Sequence, residues 1–165
     1  MTAPEKEDAV LLAVALLMTA LALLSWACRL PIAPWLPIAA SDLYLFVVLV
    51  LAAQWSDHGT QFKTSHPWVT RWFPRRTAGF FLVLCLLASI VFGFAGLYVG
   101  TAVFAIDTSR LDALYISFQT LGFSDFKPTA GYGQVVVLLH LLSGVLLLIG
   151  AFPLLISRMS TFESS

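Results

Sequence analysis

Charged side chains are scarce in this sequence. Nine basic and nine acidic residues make up 11% of the 165 positions, against roughly 25% in an average soluble domain. Because 59% of the residues are hydrophobic, the polar surface is too small for a soluble globular domain, and a disordered chain is excluded. The formal net charge is zero, so no basic field exists to hold nucleic acid. The expected surroundings are a lipid bilayer.

Cysteines and catalytic motifs are also scarce. The two cysteines, Cys28 and Cys85, lie in or beside long apolar runs and form no CxxC pair, so we interpret them as buried thiols. The sequence contains no Ser/His/Asp set, no HExxH and no P-loop. We therefore expect no enzyme and no cofactor. The first two long apolar runs contain no arginine ladder, which argues against a voltage sensor.

Four long apolar runs are present, at 9–28, 37–55, 78–105 and 134–157. A bilayer core of about 30 Å requires roughly 20 apolar residues of helix. We therefore predict an all-α membrane protein with four transmembrane helices. The first run follows the acidic segment Glu5-Lys6-Glu7-Asp8, whereas a signal peptide begins with basic residues, so this run is interpreted as a retained helix.

Basic residues are distributed unevenly between the loops. With four spans, six of them fall on one side of the membrane: Lys6, Lys63, Arg71, Arg75, Arg76 and Arg158. The other side has three: Arg29, Arg110 and Lys127. The positive-inside rule predicts that both termini are cytoplasmic. We divide the chain into a two-helix segment (1–56), a cytoplasmic and interfacial basic linker (57–77), a third part (78–158) and a short tail (159–165).

The segment 106–133, between the third and fourth runs, contains most of the chemistry. Ser109 and Asp112 have the spacing of a helix N-cap and its N3 partner. The apolar stretch 111–118 is too short to span a bilayer, and a polar, glycine-containing stretch follows it. Irregular backbone at membrane depth is tolerated only where it is buried in protein or lines water. The pattern predicts a re-entrant loop beside a pore or a binding cavity.

The motif Thr120-Leu121-Gly122-Phe123-Ser124-Asp125, with Pro128 three residues later, resembles the selectivity filter of the potassium-channel pore domain. The resemblance covers 78–158. It implies an outer helix at 78–105, a pore helix at 109–119, a filter at 120–125 and an inner helix at 134–157. Gly131-Tyr132-Gly133-Gln134 is similar to the turn before the inner helix. Similarity to small bacterial members implies a bacterial inner or plasma membrane.

The resemblance also implies roles for individual residues. Backbone carbonyls of Thr120, Leu121, Gly122 and Phe123, with the Thr120 hydroxyl, would bind a desolvated monovalent cation. Asp125 would lie at the pore mouth, and Gly144 and Pro153 are candidate gating hinges. The permeant ion would be K⁺, with Na⁺ as the alternative because Ser124 replaces the second filter glycine. One chain supplies one wall of a pore, so the expected partner is the chain itself in a homotetramer.

Two other functions stay open. The spacing between Ser117 and Asp125 is three residues shorter than is usual in that family. A pore-domain homologue that does not conduct could act as a structural or regulatory membrane subunit. A small transporter could use the re-entrant loop as its substrate site.

The remaining polar and small residues in the apolar runs have ordinary interpretations. Asp42 is an N-terminal cap if the second helix begins at Ser41, which we favour, and an intramembrane carboxyl if it begins at Pro37. We interpret His140 as a packed or hydrogen-bonded residue rather than a proton sensor. Glycines in the third run, Gly93, Gly96 and Gly100, are interpreted as packing contacts, and packing is also the alternative to a hinge at Gly144.

Overall fold

A computed structural model describes residues 3–30, 33–65, 76–101, 103–104, 108–121 and 127–156. Within these ranges the chain is all-α and contains no strand, which confirms the predicted class. The five helices are α1 (Ala3–Cys28), α2 (Trp35–Ser65), α3 (Arg76–Gly100), α4 (Arg110–Leu121) and α5 (Tyr132–Ile156).

Three helices are long and apolar enough to cross a bilayer. The qualifying stretches are Ala9–Cys28 in α1, Ala78–Gly100 in α3 and Tyr132–Gly150 in α5. The corresponding apolar stretch of α2, Trp35–Leu51, is shorter. Length and composition therefore indicate an integral membrane protein.

Helix α3 is the centre of the bundle and packs against α1, α2, α4 and α5. Its side chains Ile90, Phe94 and Leu97 are completely buried. Small residues allow the neighbouring helices to approach: a Cβ on Gly93 would lie 2.7 Å from Ile38 Cγ1, and one on Gly96 would lie 3.3 Å from the backbone of Trp26. The packing interpretation of these two glycines is confirmed.

The ends of α1 and α3 have identifiable causes. Arg29 follows α1 with a φ of 54°, and the Leu30 N–H donates to the Ser25 carbonyl at 3.1 Å, which is the pattern of a Schellman motif. Helix α3 ends at Gly100 rather than at residue 105 as predicted. The Thr101 N–H still bonds to Leu97 at 2.9 Å, but the Val103 N–H turns back to the Thr101 carbonyl at 2.8 Å.

Helix α2 differs most from its prediction. It begins at Trp35, with Pro37 in the first turn, where the missing proline N–H costs no helical hydrogen bond. Asp42 is consequently the eighth residue of the helix, and the predicted N-cap role is wrong. The helix also continues past residue 55 to Ser65, through the first part of the expected linker. The rest of that linker, 66–75, lies outside the described residues.

Helix α4 begins as the sequence predicts. The Asp112 N–H donates to Ser109 Oγ at 3.2 Å, and the Ser109 hydroxyl donates to Asp112 Oδ2 at 2.5 Å. The Trp26 indole N–H donates to the Arg110 carbonyl at 3.0 Å, so α4 starts beside the end of α1. We call this side of the bundle, where α1 and α3 end, the Trp26 end.

Helix α5 also starts at the Trp26 end. The Thr129 N–H donates to the Val103 carbonyl at 2.8 Å, and Gly131 turns the chain with a φ of 76°. A Cβ on Gly133 would collide with the same Val103 carbonyl, so only glycine allows this approach. The predicted turn is present at Gly131, and the assignment of α5 as the inner helix of a pore stays a prediction. The helix begins at Tyr132, two residues before the expected 134, and ends at Ile156.

Candidate functional site

Helix α4 runs from the Trp26 end into the middle of the bundle. Its Ser117 hydroxyl donates to the carbonyl of Val91, well inside α3, at 2.8 Å. At its last residue, Leu121 Cδ2 lies 2.9 Å from the position that a Cβ on Gly144 would take. Gly144 is twelve residues into α5, a rise of about 18 Å. The carboxyl end of α4 therefore lies near the mid-depth of a membrane-spanning helix.

The predicted filter residues are divided by the end of α4. Thr120 and Leu121 form its last turn, so the helix continues two residues beyond the predicted end at 119. Thr120 is buried, and its hydroxyl donates to the Ile116 carbonyl of the same helix at 2.8 Å. In this arrangement the Thr120 hydroxyl bonds to a carbonyl of its own helix rather than to an ion. The other filter residues, 122–124, and the mouth residue Asp125 lie outside the described residues.

Three elements meet at the Thr120 side chain. The Tyr98 hydroxyl on α3 hydrogen-bonds with Thr120 and lies 2.7 Å from His140 Nδ1 on α5. The His140 ring is fully buried and stacks on Phe94, with centroids 4.0 Å apart and planes 5° apart. This confirms His140 as a packed, hydrogen-bonded residue. We call Phe94, Tyr98, Thr120 and His140 the aromatic cluster.

A second polar contact joins α2 to α5. Ser143 Oγ lies 2.7 Å from Asp42 Oδ2 and 3.0 Å from the Leu139 carbonyl oxygen. Among the described residues, two buried side-chain atoms have no hydrogen-bond partner, Asp42 Oδ1 and His140 Nε2. Sequence reasoning singled out Asp42 and His140 but missed Tyr98 and Ser143. A tyrosine or serine within an apolar run is a signal, because its polar tip requires a partner there.

The two hinge candidates lie in α5. Gly144 is fully placed, and its contact with Leu121 gives it a packing role against α4. Pro153 lies within the helical range of α5. The gating role predicted for both positions stays a prediction.

The outer face of α4 is apolar and uncovered. Leu111, Tyr115 and Phe118 are 73%, 59% and 61% exposed, and their spacing places them on one side of the helix. Several α5 side chains are exposed as well, among them Val135, Leu138 and Leu142. We call Leu111, Tyr115 and Phe118 the α4 stripe.

No group of three metal-ligating side chains occurs in the part of the chain that the structure describes. Comparisons with protein-family models, with curated proteins and with solved structures return no match for this chain. The resemblance to the potassium-channel pore domain therefore stays an interpretation of the residues.

Proposed function

We propose that this chain is one subunit of a homotetrameric, potassium-channel-like channel that conducts monovalent cations passively across a membrane. The observation that carries the proposal is the depth of α4: the helix starts at the Trp26 end and stops beside Gly144, near the middle of α5. A short helix that stops at mid-depth has the geometry of a pore helix.

The described residues on either side of the predicted filter set the distance that the chain between them covers. Leu121 contacts the middle of α5. Thr129, in contrast, lies beside the first turn of α5, where the Thr129 carbonyl accepts the Gln134 N–H at 3.2 Å. Eight residue steps separate these positions. A helix of that length would rise only about 12 Å of the 18 Å required, whereas an extended chain reaches roughly 26 Å. The predicted filter residues 122–125 belong to the chain between these two positions, and their carbonyls would replace the water shell of an ion.

The direction of α4 favours cations. Its carboxyl end carries the negative end of the helix dipole, and this end lies at the depth where an ion would have lost its water. In the described apolar stretches of α1, α3 and α5, no charged side chain competes with that field. The positive-inside rule favours an orientation with the Trp26 end outside and both termini in the cytoplasm.

The uncovered α4 stripe supports assembly. A helix at the lining of a pore presents one face to its own subunit and another to the next subunit. Leu111, Tyr115 and Phe118 are available for the second contact. Four copies around one axis would cover the stripe and close the pore.

One observation favours a second candidate. Thr120 and Leu121 are helical, and the Thr120 hydroxyl bonds to Ile116, so two of the five proposed filter residues do not present an extended backbone. A pore-domain homologue that assembles but does not conduct would have this property and would act as a structural or regulatory membrane subunit.

Flux from liposomes separates the two candidates. Purified protein should release K⁺ or Na⁺ from loaded vesicles, and Gly122→Asp should abolish release by placing a charged side chain on the axis. Ala130→Asp adds the same charge at the exposed turn before α5 and should retain most of the flux. A tetramer without flux would favour the non-conducting subunit, and unchanged flux in Gly122→Asp would refute the filter assignment.

Selectivity is tested at Ser124. In the potassium-channel pore domain this position is a glycine with a positive φ. A serine in that backbone conformation is destabilised by roughly 1 kcal/mol or more. Ser124→Gly should therefore raise the preference for K⁺ over Na⁺ in the same vesicles. An unchanged or lower preference would show that residue 124 does not lie in a carbonyl-lined position.

A further inference from the structure

Asp42 is a carboxyl group at membrane depth. It is the eighth residue of α2 and contacts Ser143, the twelfth residue of α5, near the middle of that helix. Ionised side chains at such a depth are rare and are paired with a cation or with water when they occur. The protonation state of this carboxyl therefore bears on the contact between α2 and α5.

The described apolar stretches around Asp42 offer no cation to pair with it. The stretches 9–28, 78–100 and 132–150 of α1, α3 and α5 contain no lysine or arginine. The titratable groups on these stretches and on the apolar part of α2 are Cys28, Tyr44, Cys85, Tyr98, Tyr132 and His140. His140 does not form an ion pair with Asp42, since His140 Nε2 and Asp42 Oδ1 each have no partner.

The hydrogen bonds of Ser143 distinguish the two states of the carboxyl. The hydroxyl has one proton and two acceptors in reach, Asp42 Oδ2 at 2.7 Å and the Leu139 carbonyl at 3.0 Å. An ionised carboxylate only accepts, so the single proton could satisfy one of the two. A carboxylic acid can donate from Oδ2 to Ser143 Oγ, which leaves the serine proton for Leu139. The neutral acid makes both contacts two-centre hydrogen bonds, whereas an ionised carboxylate would have to share the serine proton with Leu139.

The unpartnered oxygen gives a second indication. Asp42 Oδ1 is buried and has no partner among the described residues. An unpaired carboxylate oxygen in such a place carries a large desolvation cost, whereas the carbonyl oxygen of a neutral acid carries a much smaller one. The contacts of Ser143 and the missing partner of Asp42 Oδ1 both indicate that the Asp42 carboxyl is protonated.

We propose that Asp42 and Ser143 form an intramembrane proton-binding site, in which the bound proton lies on Asp42 Oδ2 and is donated to Ser143 Oγ. The proton holds α2 against α5 at the residue that precedes Gly144, and Gly144 contacts the end of α4. The site is independent of whether the protein conducts. Release of the proton leaves an unpaired charge in the membrane and loosens the α2–α5 contact.

Infrared spectroscopy of the full chain in lipid nanodiscs tests the site. Wild type at neutral pH should show the carbonyl stretching band of a protonated carboxylic acid, and Asp42→Asn should lack it. Asp112→Asn removes a carboxyl at the exposed start of α4 and should leave the band unchanged. A missing band in wild type, or a band that survives in Asp42→Asn, would overturn the proposal.

Two further measurements do not require Asp42→Asn to fold. In wild type the band should persist far above the pH near 4 at which exposed carboxyls ionise. In Ser143→Ala it should remain but move to higher frequency, because the acid loses its acceptor. A band that titrates with the exposed carboxyls, or that does not move in Ser143→Ala, would refute the site.

Discussion

The contacts that α3 makes on its two sides differ in their chemistry. Towards α1, the polar contact among the described side chains is that of Thr19, whose hydroxyl lies 3.0 Å from the Cys85 carbonyl oxygen and 3.1 Å from Ser89 Oγ. Towards α4 and α5, the contact is the aromatic cluster, in which the Tyr98 hydroxyl joins side chains from the two other helices. One side uses small residues and isolated hydroxyls, and the other uses a connected polar group.

This difference suggests that the α1 side of α3 contributes to stability alone, whereas the other side contributes to function as well. Small residues and single hydroxyls are how membrane helices generally associate, so the α1 side requires no specific function. The aromatic cluster brings Tyr98 of α3 and His140 of α5 together with Thr120 of α4. Thr120 lies at the end of α4 that reaches the middle of the membrane. We therefore expect changes on the α1 side to affect only folding, and changes in the cluster to affect both folding and the site. Four substitutions test this expectation, all measured as unfolding in mixed micelles by circular dichroism.

The largest effect is expected from His140→Ala. The variant removes a fully buried ring that stacks on Phe94 and leaves a cavity beside Tyr98, at a cost of about 3 kcal/mol in the free energy of unfolding. Leu138→Ala, on the exposed face of the same helix, is the control and should cost much less. Equal costs would show that the cluster is not a packed core.

Gly96→Leu should be next, on the α1 side. A Cβ there would already lie 3.2 Å from Pro34 Cγ and 3.3 Å from the Trp26 nitrogen, so a larger side chain should cost about 2 kcal/mol through overpacking. Gly96→Ala is the matched smaller change. Stability that is no lower in the leucine variant than in the alanine variant would contradict the close approach of α1 and α3.

Tyr98→Phe removes one hydroxyl from the cluster. It leaves His140 Nδ1 without its partner at 2.7 Å and should cost about 1 kcal/mol. Tyr115→Phe removes a hydroxyl that bonds to Gln119 on the exposed face of α4 and should cost less. If the protein conducts, Tyr98→Phe should also alter flux. A stability loss no greater than that of Tyr115→Phe would contradict the cluster's role.

Thr19→Val should have the smallest effect. It removes the interhelical hydroxyl contact with α3, which is typically worth about 0.6 kcal/mol between membrane helices. Ser25→Ala, whose hydroxyl bonds only within α1 to Leu21, is the control. Vesicle flux should be the same in both variants as in wild type, and a change in flux for Thr19→Val would remove the distinction between the two sides of α3.

Much of the fold could be predicted because it depends on local composition. The cores of α1, α3 and α5 were found from apolar length alone, and the Ser109–Asp112 pair was found from its spacing. The helix limits were less predictable. The run through residue 105 contains no charge, yet α3 stops at Gly100, because backbone bonds of the following turn end it rather than a change in hydropathy.

The site depends on pairings that spacing cannot reveal. Tyr98 and His140 are 42 positions apart, and Asp42 and Ser143 are 101 apart. A polar residue within an apolar run indicates that a partner is required, but the packing of the helices decides which partner it finds. For this reason the sequence predicts a cap at Asp42, since a helix start at Ser41 offers the nearest local explanation.

The central claim is that α4 leads to a pore shared by four copies of the chain. Electron cryo-microscopy of the protein purified into lipid nanodiscs tests it most directly. The account predicts a four-fold assembly in which the carboxyl ends of α4 converge on an axis and the backbone that follows Leu121 surrounds ion density. A monomer, a two-fold dimer, or α4 ends that face lipid instead of an axis would contradict it.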